Sequence, residues 1–202
     1  MTWALILSFS AFAFVSSITP GPNNLMLMAS GANFGFRATM PHFAGVQVGF
    51  TVMVVLVGLG LAGLFAAFPW LYDALRGLGT LYLLYLAYKI ATADGLGAGR
   101  SSAHPQRFFQ AVAFQWVNPK AWTMAVVALT TYTPTDQPLV NVAVLAVLFL
   151  IVGLPCSLVW MAFGVGLKRL LDRPRALRLF NITMAVLLVA SLYPLVQDLP
   201  KF

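Results

Sequence analysis

Ile18-Thr19-Pro20-Gly21-Pro22-Asn23-Asn24 interrupts the first apolar run of the chain, and Trp116-Val117-Asn118-Pro119-Lys120 interrupts the fourth. A proline inside a helix carries no amide hydrogen, and its ring collides with the carbonyl four residues back. The carbonyls of Ser16 and Ile18 are therefore freed in the first run, and that of Gln115 in the fourth. Thr19, Gly21 and Asn118 each precede a proline and are pushed away from helical angles. Both runs are expected to open at these points. Hydrocarbon satisfies neither a bare carbonyl nor a bare amide, so each opening must face protein, water or a ligand.

Outward from these motifs the chain is almost continuously apolar. Of its 202 residues 60% are hydrophobic and only 8% charged, and the mean hydropathy is +0.87. A soluble domain carries about 25% charged residues, so this composition cannot cover a water-facing surface. The fold class is an all-α integral membrane protein. Apolar stretches place six transmembrane helices at about 3–29, 40–66, 70–92, 108–131, 138–165 and 177–197. Six spans of about 20 residues leave room for short loops in one transmembrane domain, 1–202, but not for a catalytic ectodomain, a nucleotide-binding domain or a long tail. The first run lacks a basic n-region and is followed by Pro-Gly-Pro instead of a small-residue cleavage site, so it is read as a retained span and not a signal peptide.

A compact turn is expected at 31–37, and one flexible linker, about 94–107, divides a first half (about 1–93) from a second (about 108–202). Each half has three spans, and each begins with a broken one. An interrupted segment at corresponding positions of two halves points to a transporter's binding site. Because three is odd, the second half inserts upside down, and two inverted three-helix repeats follow if the halves are related. Arg37, Lys89, Arg100, Arg107, Lys168, Arg169, Arg173, Arg175 and Arg178 flank the first, third and fifth loops, against Arg76 and Lys201 on the other side. Positive charge is retained in the cytoplasm, which puts both termini outside. The basic loop 168–175 is either an orientation signal alone or also a seat for anionic lipid headgroups. The net charge of +7 answers to the membrane in this way and not to nucleic acid.

Lys120 lies well inside the fourth span. A lysine at the bilayer centre costs about 2.5–3.5 kcal/mol and should face the bundle interior or a water-filled cavity. It is either a carbonyl-capping or snorkelling residue, or a cation that meets a substrate carboxylate or changes charge during transport. Asn23, Asn24, Gln47, Gln115 and Asn118 supply neutral hydrogen bonds, and amides both donate and accept without the penalty of a charge. With Pro20, Gly21, Pro22 and Pro119 these are the candidate substrate-binding residues. His42 is expected at the cytoplasmic interface, as an interfacial residue or a proton relay. Gly45 and Gly49 read as helix-packing positions, Tyr82, Tyr85 and Tyr88 with Lys89 as a helix face with an interfacial anchor, and Cys156 as a small packing residue. Asn181-Ile182-Thr183 matches a glycosylation acceptor by chance. There is no glutamate, and Asp73, Asp94, Asp136, Asp172 and Asp198 all fall in loops or at span ends. No buried acid is thus available to hold a cationic substrate, and no cluster with metal-ligand spacing is present.

Thr19-Pro20-Gly21-Pro22-Asn23-Asn24, Ser30-Gly31, Gly35, Gly45, Gly49, the stretch Tyr82-Leu83-Leu84-Tyr85-Leu86-Ala87-Tyr88-Lys89 and Asn118-Pro119-Lys120-Ala121-Trp122 resemble the LysE/RhtB family of amino-acid exporters. The likeness runs in order to about Ala125 and continues more weakly through Arg178-Leu179-Phe180-Asn181. It implies a bacterial inner-membrane exporter of amino acids or derivatives, driven by the electrochemical gradient and without a bound cofactor. Lacking a buried acid, the chain fits a small neutral amino acid or derivative better than lysine or arginine. The alternative is a passive small-solute channel with paired half-helices; an intramembrane enzyme lacks an acid/base pair. A homo-oligomer is left open.

Overall fold

The structure, a computed structural model, describes residues 1–61, 67–92, 104–134, 136–167, 171 and 173–192. Eight α-helices occupy most of them: α1 Trp3–Ile18, α2 Pro22–Phe34, α3 Phe36–Leu56, α4 Pro69–Ala91, α5 Phe108–Phe114, α6 Pro119–Tyr132, α7 Pro138–Leu167 and α8 Pro174–Ala190. A π-type turn, Val57–Leu61, follows α3, and a 3-10 turn, Gln115–Val117, joins α5 to α6. No strand occurs among the described residues. Prolines set many of the starts: Pro22, Pro69, Pro119, Pro138 and Pro174 each stand first in a helix, where a missing amide costs nothing.

Among the described residues two helical segments, Phe36–Gly60 and Pro138–Leu167, are long and apolar enough to cross a membrane singly. α1 and α2 together make a third such segment, bent by 50° at the break between them. The expected turn at 31–37 is not a loop. α2 runs on to Phe34, and Gly35 alone, at φ 82°, connects it to α3. Only glycine takes that angle without a Cβ clash, so one residue replaces a turn and α3 begins at Phe36, four residues before its expected start. The second span, expected to reach 66, leaves regular α-helix after Leu56, and 62–66 lie outside the described residues. Residues 93–103 of the linker, 168–170 and 172 of the basic loop, and everything after 192 also lie outside them.

Small residues let the helices approach. A Cβ on Gly31 of α2 would lie 2.5 Å from the Met161 carbonyl of α7, and one on Gly49 of α3 would lie 2.7 Å from Cα of Val112 in α5. Gly45 sits one turn earlier against Phe108, so the Gly-x3-Gly pair is a packing seam between α3 and α5. One apolar core gathers Phe9, Phe149 and Val54 with half-buried Phe12 and Tyr132. Phe9 and Phe149 meet edge-on with centroids 4.8 Å apart, and Phe12 stacks on Tyr132 at 5.5 Å. A second core, of Met26, Leu83, Phe114 and Leu188, joins α2, α4, α5 and α8. Between the two cores lie both helix breaks.

Candidate functional site

The two interruptions are brought together. α1 ends at Ile18, and Thr19, Pro20 and Gly21 run in extended or irregular backbone before α2. The ammonium of Lys120, in the first turn of α6, donates to the carbonyl of Thr19 at 2.8 Å, to its hydroxyl at 2.9 Å and to the carbonyl of Pro20 at 3.2 Å. Gly21 permits this approach, since a Cβ there would lie 2.5 Å from Lys120 Cδ. In the first turn of α2, Asn23 forms a reciprocal amide pair with Gln115: Asn23 Nδ2 donates to Gln115 Oε1 at 2.8 Å, and Gln115 Nε2 donates to Asn23 Oδ1 at 3.1 Å. Each break therefore touches the other through a cation and through a neutral pair.

The carbonyls expected to be open are occupied. That of Ser16 accepts from the Thr19 hydroxyl at 3.1 Å, that of Ile18 from the Trp160 indole at 2.9 Å, and that of Gln115 from the Asn118 amide at 3.2 Å. The physical reason is general: a bare carbonyl inside an apolar bundle costs free energy, and the nearest donor takes it. Asn24 bridges two more, donating to Ser17 at 2.7 Å and Thr19 at 2.9 Å. At the second break the Asn118 side chain caps α6 by accepting the Lys120 amide at 3.2 Å. Pro22 and Pro119 are helix-opening residues of α2 and α6.

Beside the breaks lies a cavity of about 50 Å³ lined by Ser17, Asn23, Asn24, Gln47, Asn118 and Lys120, with Gly21 and Phe149 among its other walls. Gln47 reaches it from α3; a Cβ on the facing Gly153 would come within 3.3 Å of the Gln47 side-chain oxygen. At about 10–15 Å³ per water position this space holds a few waters. Of the candidate residues, Gly21, Asn23, Asn24, Gln47, Asn118 and Lys120 line the cavity, Gln115 stands behind Asn23, and Pro20 contributes its carbonyl to Lys120. Ser17, Ser157 and the hydroxyl of Thr19 belong to the same region, as does the indole of Trp160. Sequence reasoning passed over them, because a serine, threonine or tryptophan in an apolar helix carries no sign of which neighbour it meets.

His42 is fully buried among the helices, with Nδ1 3.1 Å from the Ser30 hydroxyl. Asn181, in the chance glycosylation motif, is buried in a reciprocal amide pair with Asn33, at 2.8 and 3.1 Å. Tyr85 and Tyr88 are exposed, and the Lys89 ammonium lies 5.6 Å from the Tyr85 ring centroid. Cys156 is buried and unpaired with any other cysteine. Among the described residues no group of three or more metal-ligating side chains occurs.

Apolar helices, with two interruptions where polar backbone meets polar side chains around a small cavity, define a helical membrane protein with a polar pocket among its helices. The chain belongs to the LysE type translocator family, which matches residues 14–191. The cysteine/O-acetylserine efflux proteins of Escherichia coli (strain K12) and Shigella sonnei (strain Ss046) are each 32% identical to it over 194 residues, covering 94% of this chain and 96% of theirs. A cysteine/O-acetylserine efflux protein of Shigella flexneri is similar to the same extent. These relatives are efflux proteins and not enzymes. No solved structure matches the chain.

Proposed function

We propose that the chain is a secondary transporter that exports a small neutral amino acid or derivative across the bacterial inner membrane. In this reading it has six spans in two inverted halves, with both termini outside. The observation that carries the reading is Lys120, a cation of one broken helix held by the broken end of the other, in a chain with no glutamate. A cation without an acidic partner favours an anionic group, and a zwitterion supplies one. Its carboxylate is a stronger acceptor than the Thr19 and Pro20 carbonyls, because both partners are then charged. Substrate and helix end thus compete for one ammonium. When the carboxylate wins, the Pro20 carbonyl loses its donor, that of Thr19 keeps only Asn24, and the break is free to rearrange, which couples occupancy to movement.

The asparagines and Gln47 orient the remaining polar groups without adding charge. Relatives named for cysteine and O-acetylserine point to a small side chain bearing a thiol, hydroxyl or ester, which suits a cavity walled by serines, amides and Phe149. The test is an untargeted comparison of medium metabolites from cells with and without the protein, followed by export of the identified compound against its own concentration gradient. Accumulation outside above the internal concentration is expected. Equilibration without accumulation would make the protein a passive channel, and an unchanged medium would remove the export reading.

A further inference from the structure

A second cavity, of about 140 Å³, lies between α2, α3, α4 and the segment 104–110. It is nearly three times as large as the one at the breaks. Two buried polar atoms in its walls have no partner among the described residues: Nε2 of His42 and Oε1 of Gln106. Both side chains are otherwise fixed. His42 Nδ1 is engaged with Ser30, and Gln106 Nε2 donates to the Tyr82 hydroxyl at 3.1 Å. The bond to Ser30 sets the ring so that Nε2 is the free nitrogen. A buried polar atom left unmet costs about 1–3 kcal/mol, so two of them around one hollow mark a place where something polar belongs.

The walls also say what kind of molecule. Met26, Ala29 and Leu86 give an apolar floor, while the exposed ammonium of Lys89 stands at the margin. Gln106 Oε1 accepts only, and His42 Nε2 with the Ser30 hydroxyl donates or accepts according to tautomer. A small zwitterion meets all three demands: carboxylate toward Lys89, ammonium toward Gln106, and a short polar side chain toward His42. Ser30 lies seven residues beyond Asn23 on the same helix, about 10 Å at 1.5 Å per residue. Both cavities therefore share α2. We infer that the His42–Gln106 cavity is a second amino-acid site, a loading site from which the solute passes along α2 to the breaks. The ligand class rests on the export reading; the existence of the site does not.

The probe is O-acetyl-L-serine, and the reporter is a cysteine replacing Gln110, an exposed residue lining this cavity, in a Cys156→Ser background. In the purified full-length protein the rate of maleimide labelling at this position should fall saturably with probe, about threefold when the probe is at twice its dissociation constant. The protection should persist with Lys120→Met, which disables the site at the breaks, and disappear with His42→Leu. Gln106→Leu, at the cavity edge ahead of α5, gives the same readout should the buried histidine prove necessary for folding. Labelling unaffected by the probe means that the cavity holds water only, and overturns the inference. So does protection that survives both His42→Leu and Gln106→Leu, or that vanishes with Lys120→Met. Absent protection with export intact refutes this site alone; protection in a protein that exports nothing refutes the export reading alone.

Discussion

The break after Ile18 and the break at Gln115–Val117 solve one problem in opposite ways. At the first, two prolines flank a glycine, and much of the exposed backbone is satisfied from a distance: Trp160 of α7 serves the Ile18 carbonyl, and Lys120 of α6 serves those of Thr19 and Pro20. At the second, the chain closes on itself within a few residues. Asn118 donates its amide to Gln115 and caps the next helix, and the Trp122 indole meets the Trp116 carbonyl at 2.9 Å. The difference teaches where movement is cheap. A break held by its neighbours' side chains opens when one of them is drawn away; a self-closed one stays as a rigid platform from which Lys120 projects.

The sharpest way to break this contrast is Lys120→Met. Hydrogen bonds to a charged group are worth about 1.5–3 kcal/mol each, so export is expected to fall by at least about tenfold at equal membrane protein level, with Lys120→Arg retaining part. An unchanged export rate would remove the lysine from the mechanism. Gly21→Val comes next. Its Cβ would stand 2.5 Å from Lys120 Cδ and push the ammonium off the helix end. Overpacking of this kind costs about 1–3 kcal/mol. The double variant should export no worse than Lys120→Met, since both act through one contact; additive losses would show two separate effects.

A smaller effect is expected at the neutral bridge. Gln115→Leu leaves Asn23 without its partner in the bundle and should lower thermal stability by about 1–3 kcal/mol, whereas adding Asn23→Leu should recover part of it, because no unmet amide then remains. Denaturation followed in detergent reads both, and a double variant no better than the single one would show that the pair is not what joins the breaks. Asn118→Ala removes a helix cap worth about 1 kcal/mol and should weaken export less than Lys120→Met. Trp160→Phe leaves the Ile18 carbonyl unmet, at a cost of about 1–3 kcal/mol, and should lower thermal stability while leaving Lys120 in place. If Asn118→Ala lowers export more than Lys120→Met, the locally closed break, and not the distantly held one, is the part that works.

The helical class, most element positions and both break points were legible because they follow from local chemistry. Apolar runs need helices, and a proline flanked by glycine or asparagine supplies both the interruption and the means to cap it. Proline alone was not a sufficient sign: Pro41 and Pro155 lie inside α3 and α7, which continue through them. The single-residue joint at Gly35 was missed because a turn motif does not state how few residues it needs. The partners of His42 and Asn181 were not legible for another reason. Nothing in their neighbourhoods in sequence reveals that Ser30 and Asn33 wait on the adjoining helix face.

By itself, the sequence determined what each segment must avoid: charged surface in lipid, an unbroken helix across Pro20–Pro22 or across Pro119, and any acid within the apolar runs. Only the tertiary structure decided which donor meets which freed carbonyl. Lys120 reaches Thr19 across 101 residues of chain, and Asn23 reaches Gln115 across 92. Unmet polar groups in an apolar bundle take the nearest partner in space, and nearness in space is a property of helix packing, set here by glycines that bring backbones into contact.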